Sequence, residues 1–244
     1  DEDSFYLWDT STNAKVAASW SLAADGVTMT LTPDADLTVS TQYYLYVGYS
    51  PYLTDYAGNL FYNNYHYFTT GTETDSTPIS VALTNIASGE QDMPVNGRAI
   101  LMMDNPVSDA CLYSENVVLQ NSAGVEISST VSLDSSRRNI TVTPSVNFSI
   151  SENYSVAVSS LCDYAGNEFS GTPLTFTTLS SDSNDTTGPS VVSISPFNGE
   201  TGVAISSSIV IQYNESVDRR STPLIKAGST LIEGSYSVTG DTIT

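Results

Sequence analysis

The pentapeptide Asp-Tyr-Ala-Gly-Asn occurs twice, at 55–59 and again at 163–167. Each copy is followed at the same distance by a Phe-Thr-Thr triplet, starting at Phe68 and at Phe176. Both pairs are 108 positions apart, and two matches held in one register mark an internal duplication rather than coincidence. A duplicated chain folds into units that each bury a core of their own, and its mechanics are set where neighbours meet.

The second copy is complete. Short runs at 79–86, 99–103, 117–119, 125–133, 140–143, 154–158 and 174–177 alternate apolar and polar residues, and Gly, Asn, Asp, Ser and Pro separate them. Seven such runs without helical periodicity predict an all-β sandwich. Composition agrees, since only 14% of the 244 residues are charged and Tyr, Val and Thr fit a half-buried pleated surface.

The other copies are partial. Residues 1–71 match the second half: Thr30-Leu31-Thr32-Pro33 lies over Thr141-Val142-Thr143-Pro144, and Gln42-Tyr43-Tyr44 over Glu152-Asn153-Tyr154. Residues 188–244 match the first half, with 212–217 over 102–107. The expected organisation is a C-terminal part at 1–71, a linker at 72–77, a complete module at 78–179, a linker at 180–187 and an N-terminal part at 188–244. The linkers are rich in Ser, Thr and Asp, which predicts tethers without structure of their own. The two end pieces overlap in coverage, so they are expected to be cut from a longer array rather than to complete each other.

The ordered motifs of the second and third copies resemble a known family. Gly188-Pro189, Pro196, Gly199, Gly202-Val203 and then Tyr213, Glu215, Val217 and Asp218 resemble the start of the bacterial Ig-like domain of the S-layer and adhesin type. Asp163-Tyr-Ala-Gly166-Asn167 with Phe176-Thr-Thr resembles its end. The resemblance implies tandem Ig-like β-sandwich modules, one complete and two partial, used in surface layers, adhesins and spacers of extracellular enzymes. It names no ligand.

Charge narrows the partners. Asp and Glu number 27 against 7 Lys and Arg, a formal charge of −20, and that field repels a phosphate backbone, so no nucleic acid is expected. Divalent cations are favoured. No apolar run approaches the roughly 18 residues of a membrane span. Asp1 leads directly into strand-like sequence, so targeting information is expected to have been removed or to lie outside this segment.

In a simply alternating sandwich, the loop after Met103 and the loop holding Asp163 share one pole beside the incoming linker. That topology gathers Asp104, Asp109 and Asp163 near Glu73 and Asp75, and in the third copy Glu215 and Asp218 near Asp182 and Asp185. Oxygen ligands converging on a linker suit Ca²⁺, which takes six to eight of them. The same Asp-x-x-Gly-Asn is also sound turn chemistry without an ion. Cys111 and Cys162, the only cysteines, fall at this pole too. Each neighbouring copy lacks the one member its partial length would show, which predicts a disulfide, with two free thiols as the alternative.

Nine of the 15 tyrosines lie between Tyr43 and Tyr67. Alternation is expected to turn Tyr44 and Tyr46 to the core and Tyr43, Tyr65 and Tyr67 outward, with Tyr49, Tyr52, Tyr56 and Tyr62 in or near the loop. Such a belt suits glycans or a cell-surface protein, and packing on a neighbouring module is the alternative. Asn139, Asn147, Asn153, Asn184 and Asn214 head Asn-x-Ser/Thr sequons, which become glycan sites only in a eukaryotic host. The single histidine, His66, matches Leu174 and is expected to be a partly buried strand residue. No nucleophile motif, zinc cluster or phosphate-cradling loop accompanies it, so no catalysis is expected. The function expected is a scaffold or spacer segment of an extracellular surface layer, filament or adhesin, in contact with neighbouring modules or copies of itself. Alternatives are a glycan- or protein-binding module and a spacer of a polysaccharide-active enzyme.

Overall fold

The computed structural model describes residues 4–24, 26–48, 54–62, 64–112, 114–220 and 223–244. They form two compact units, Asp1–Asp75 and Ser76–Thr244. No α-helix occurs among the described residues.

The first unit holds β1 (Phe5–Asp9), β2 (Ala14–Lys15), β3 (Ala18–Leu22), β4 (Met29–Pro33), β5 (Gln42–Val47) and β6 (Asn64–Thr69). An antiparallel sheet runs in the order β2-β1-β5-β6, and β3 and β4 form a separate hairpin. Phe5 and Leu7 on β1 and Tyr43 on β5 are its buried apolar residues.

The second unit contains the complete sandwich. Its strands are β7 (Val81–Thr84), β8 (Glu90–Met93), β9 (Ala99–Met103), β10 (Val117–Asn121), β11 (Ser129–Leu133), β12 (Asn139–Pro144), β13 (Asn153–Val158) and β14 (Leu174–Thr178). Sheets β10-β13-β14-β8 and β11-β12-β9-β7 contribute one shared core, which includes Leu101, Met103 and Ile140 from one sheet and Leu119, Val156 and Phe176 from the other. Alternation puts these residues on the inner faces, as a two-layer sandwich requires. The strand β8 is one more than the sequence predicts. Three of its four residues are polar, so it carries no period-two signal, and it pairs in parallel with β14.

The unit continues through β15 (Val191–Ser195), β16 (Val210–Tyr213), β17 (Ile225–Ala227), β18 (Thr230–Ile232), β19 (Val238–Thr239) and β20 (Thr242–Ile243). The sheet β15-β16-β20-β19 repeats the arrangement of β7, β9, β12 and β11. The bond from Tyr213 N to Asp241 O, 2.8 Å, reproduces that from Met103 N to Arg138 O, 2.8 Å.

The linker at 180–187 is pinned, contrary to the expected free tether. Asn96 Nδ2 donates to Asp185 O at 2.8 Å while Asp185 N donates to Asn96 Oδ1 at 3.0 Å. Asn147 Nδ2 donates to Asn184 Oδ1 at 2.6 Å. Farther on, Arg219 N donates to Asn85 O at 3.0 Å. A side-chain amide that pairs with one backbone N–H and C=O imitates a rung of sheet, and its partners are 89 residues apart.

Candidate functional site

The two pentapeptides fold into the same turn. Asp163 Oδ1 accepts from Ala165 N at 2.8 Å and Asn167 N at 2.9 Å, and its Oδ2 accepts from Asn167 Nδ2 at 3.0 Å. Asp55 makes the matching bonds to Ala57 N, Asn59 N and Asn59 Nδ2, at 2.9, 2.9 and 2.7 Å. Gly58 and Gly166 sit at φ 82 and 84, a left-handed conformation open to glycine at little cost. Every residue type in the motif except Tyr and Ala is therefore set by one turn. The copies differ in burial: Asp163 is 3% exposed, and Asp55 lies on the surface.

The same device recurs without the motif. Asp134 Oδ1 accepts from Arg138 N and Asn139 N at 3.2 Å each, and its Oδ2 accepts from Asn139 Nδ2 at 2.8 Å. That amide bond, with Ser136 Oγ and the turn N–H groups and against a smaller opposing effect of burial, holds the Asp134 carboxyl at about 2. A folded pKa below the unfolded value stabilises at pH above the unfolded value, near 3.8, and the contribution is lost as pH falls toward 2. Acid titration should show the Ser76–Thr244 unit losing stability across that window. Asp134→Asn should flatten this part of the profile, and a wild-type slope in the variant would remove Asp134 as its source.

Asp104, Asp109 and Asp218 have partners of their own. Asp104 accepts from Ser80 N at 2.8 Å and Ser80 Oγ at 2.6 Å, clamping the segment that enters β7. Burial opposes its ionisation, yet these bonds hold its carboxyl below the ordinary range. Asn214 does the same work in the third copy, where its Oδ1 accepts from Ser190 N at 2.6 Å. An uncharged amide thus serves in the place of Asp104. Asp109 pairs with Arg137, and Asp218 holds Arg220 through both oxygens, at 3.0 and 2.6 Å. Glu215 stands beside Asp185, and burial and then that neighbour push its carboxyl up. Glu73, Asp75 and Asp182 are exposed, the first two in the other compact unit. Among the described residues no three Asp, Glu, His or Cys side chains are grouped to hold a metal ion.

The structure joins Cys111 to Cys162 with Cα atoms 5.5 Å apart. One end is the last residue of the short 3₁₀ turn Asp109–Cys111 and the other precedes Asp163, so the bridge ties together the two loops at this pole. Ser108 N donates to Cys162 O at 2.9 Å, and Asn116 Nδ2 donates to Cys111 O and Ser160 O at 2.6 and 3.1 Å.

On β5 the tyrosine alternation is the reverse of that expected, whereas Tyr65 and Tyr67 on β6 are exposed as expected. Tyr43 is 1% exposed, while Tyr44 and Tyr46 lie on the opposite, half-buried face. The proposed alignment is off by one position. Tyr43, not Tyr44, is the counterpart of Tyr154: its hydroxyl accepts from Thr38 N at 3.0 Å and its ring stacks on Phe68 at 5.8 Å, as Tyr154 accepts from Ser149 N at 3.0 Å and stacks on Phe176 at 5.8 Å. A one-residue slip inverts every side chain of a strand. His66 is exposed rather than partly buried, because β6 pairs only with β5 among the described residues, whereas β14 has β13 on one side and β8 on the other.

The outer face of β1, β5 and β6 is consequently mostly aromatic, with Gln42 and Thr69 at one end of the β5–β6 ladder. Tyr6 and Trp8 were not singled out by sequence, though their alternation in 5–9 carried the signal. Ring centroids lie 4.9 Å apart for Tyr6 and Tyr46, 6.0 Å for Trp8 and Tyr44, 5.1 Å for Tyr46 and Tyr65, and 5.6 Å for Tyr44 and Tyr67. Burial and the neighbouring phenols raise the pKa of Tyr6 and Tyr44, so these hydroxyls stay protonated. Tyr56 and Tyr62 are exposed, and Tyr49 and Tyr52 lie outside the described residues. Of the sequon asparagines, Asn139 donates to Asp134, Asn147 to Asn184, and Asn153 accepts from Thr177 Oγ1 at 2.6 Å. A glycan on Asn139 or Asn147 would displace a bond the fold already uses.

Comparison with known proteins follows this architecture. The family model described as bacterial Ig-like domain matches residues 2–70, 75–178 and 185–244. An S-layer protein of Geobacillus stearothermophilus is 31% identical over 134 residues, 54% of this chain and 10% of that protein. The chain therefore spans about a tenth of the length of that curated relative. Among solved structures, the N-terminal part of the bacterial S-layer protein SbsC aligns with TM-score 0.34 and 17% identity, covering 66% of this chain and 34% of that one. The S-layer protein rSbsC(31-844) aligns at 0.35 and 15%, covering 66% and 20%.

Proposed function

The chain belongs to the bacterial Ig-like domain family, and from that membership we propose that it is a structural repeat segment of an extracellular surface-layer, filament or adhesin protein. Its work is to hold a fixed spacing, and it performs no catalysis. The observation that carries this reading is the succession of three family matches in one chain. A tandem of self-contained sandwiches transmits load through its junctions, and the pinning of Asp185 by Asn96 suits a stiff spacer better than a loose tether. The S-layer relative favours a surface layer among the three settings.

Force spectroscopy on the chain held at its ends tests the mechanical role. The complete module should unfold in one discrete step, and reductant should lengthen that step. The bridge closes 51 residues, about 17 nm of extended backbone at ~3.4 Å each. Extension without a discrete step, or a step indifferent to reductant, would remove the load-bearing role. Protease shaving of intact source cells tests the location: no peptides from this chain would place it elsewhere. Repeating the pulls with calcium and with a chelator reads the junction expectation, since a shift in unfolding force would restore a cation role to Asp182, Asp185, Glu215 and Asp218.

A further inference from the structure

Six of the eight outward positions on the three long strands of the first unit's sheet are aromatic, Tyr6, Trp8, Tyr44, Tyr46, Tyr65 and Tyr67, and the other two are Gln42 and Thr69 at the end of the β5–β6 ladder. The fold does not need this. The equivalent positions of the complete module are Val118, Gln120, Ser155, Ala157, Thr175 and, just before β14, Pro173, and the same β10-β13-β14 ladder forms there without an aromatic ring at any of them. Tyr65 and Tyr67 remain 47% and 56% exposed, so the rings offer their faces to a partner.

Two observations select the partner's chemistry. Lys15 Nζ lies 4.5 Å from the centroid of the Tyr6 ring, so a face of this surface already receives an ammonium group. Residues 1–75 carry ten acidic side chains, and Lys15 is their single basic one. A cationic partner is therefore attracted by the ring faces and by the surrounding field together. A second copy of the chain brings another charge of −20, and anionic membranes and polymers are repelled in the same way. A neutral glycan stacks on the rings and gains nothing from the field.

We propose that the aromatic face of the first unit docks a basic polypeptide segment, whose Lys or Arg side chains settle on the rings as Lys15 does on Tyr6. This goes beyond the spacer role and stands or falls separately from it, because it assigns a ligand to one face of one module.

Calorimetric titration of the whole chain tests it with three probes: a twelve-residue peptide alternating Gly with Lys and Arg, a Gly-Ser peptide of equal length, and a neutral β-glucan oligosaccharide. The variant Tyr44→Ser with Tyr67→Thr installs the residues of the complete module, so it keeps side chains that this ladder accommodates. The basic peptide should bind the wild type, lose at least tenfold in affinity in the double variant, and weaken with salt. The indole N–H resonance of Trp8 in the wild type gives a readout independent of any variant: it should shift with the basic peptide and not with the Gly-Ser one. Equal affinity for wild type and variant would reduce the binding to the diffuse pull of net charge and overturn the proposal. A glucan that binds and is lost in the variant, while the peptide is unaffected, would overturn it in favour of sugar. Failure of the basic peptide to bind would overturn it outright.

Discussion

Reduction of the Cys111–Cys162 bridge is expected to lower the melting temperature of the complete module by about 10–25 °C. In the chain-entropy model a closed loop of this size stabilises by roughly 4 kcal/mol, and removal of native bridges typically costs about 2–5 kcal/mol. For a module near 100 residues each kcal/mol moves the midpoint by about 4–8 °C. The pole the bridge closes has other ties, among them the Asn116 amide and the Asp109–Arg137 pair, so the lower part of the range is expected. Scanning calorimetry with and without reductant measures it. The variant Cys111→Ala with Cys162→Ala should reproduce the reduced protein; alanine is preferable to serine because Cys162 is 6% exposed and a hydroxyl there would be buried. Melting of the Asp1–Asp75 unit, which has no cysteine, should not move and serves as the internal control. A midpoint unchanged on reduction would mean that the bridge holds a loop and not the module.

Much of this architecture could be read from the sequence because it is written locally. The turn built on Asp163 uses partners two and four residues away, so the pentapeptide states its own conformation. The sandwich followed from runs whose inward residues alternate, such as Val117 and Leu119 or Leu174 and Phe176. What was hidden depends on pairing at a distance. Tyr43 and Tyr44 are adjacent and chemically identical, and what distinguishes the core ring from the surface ring is tertiary: the bond from Thr38 N to the Tyr43 hydroxyl and the stack of its ring on Phe68. Likewise, nothing near Asn96 announces that its amide holds Asp185. The carboxylates expected to gather around an ion illustrate the same limit. The topology of an alternating sandwich places them near one pole, and only the folded structure shows that Asp104 serves Ser80, Asp109 serves Arg137 and Asp218 serves Arg220.

The duplicated pentapeptide supplies the sharpest remaining test, because the same three hydrogen bonds occur in two environments. Around Asp163 water is excluded, and replacing the carboxylate with a methyl group strands the N–H groups of Ala165 and Asn167 and the amide of Asn167. Buried donors left without an acceptor cost about 1–3 kcal/mol, and bonds to a charged acceptor are at the upper end. Asp163→Ala should therefore destabilise the complete module by about 3 kcal/mol. At Asp55 water can replace each lost bond, so Asp55→Ala should leave the melting of the first unit nearly unchanged. Asp163→Asn keeps Oδ1 but turns an N–H₂ group toward the amide of Asn167, and it should fall between the wild type and the alanine variant unless Asn167 turns over. Chemical denaturation of the three variants separates the two accounts of the motif. A large loss at Asp163, small at Asp55 and independent of calcium, identifies a turn cap whose worth is set by burial. Comparable losses at both positions that vanish in chelator would return the aspartates to cation binding.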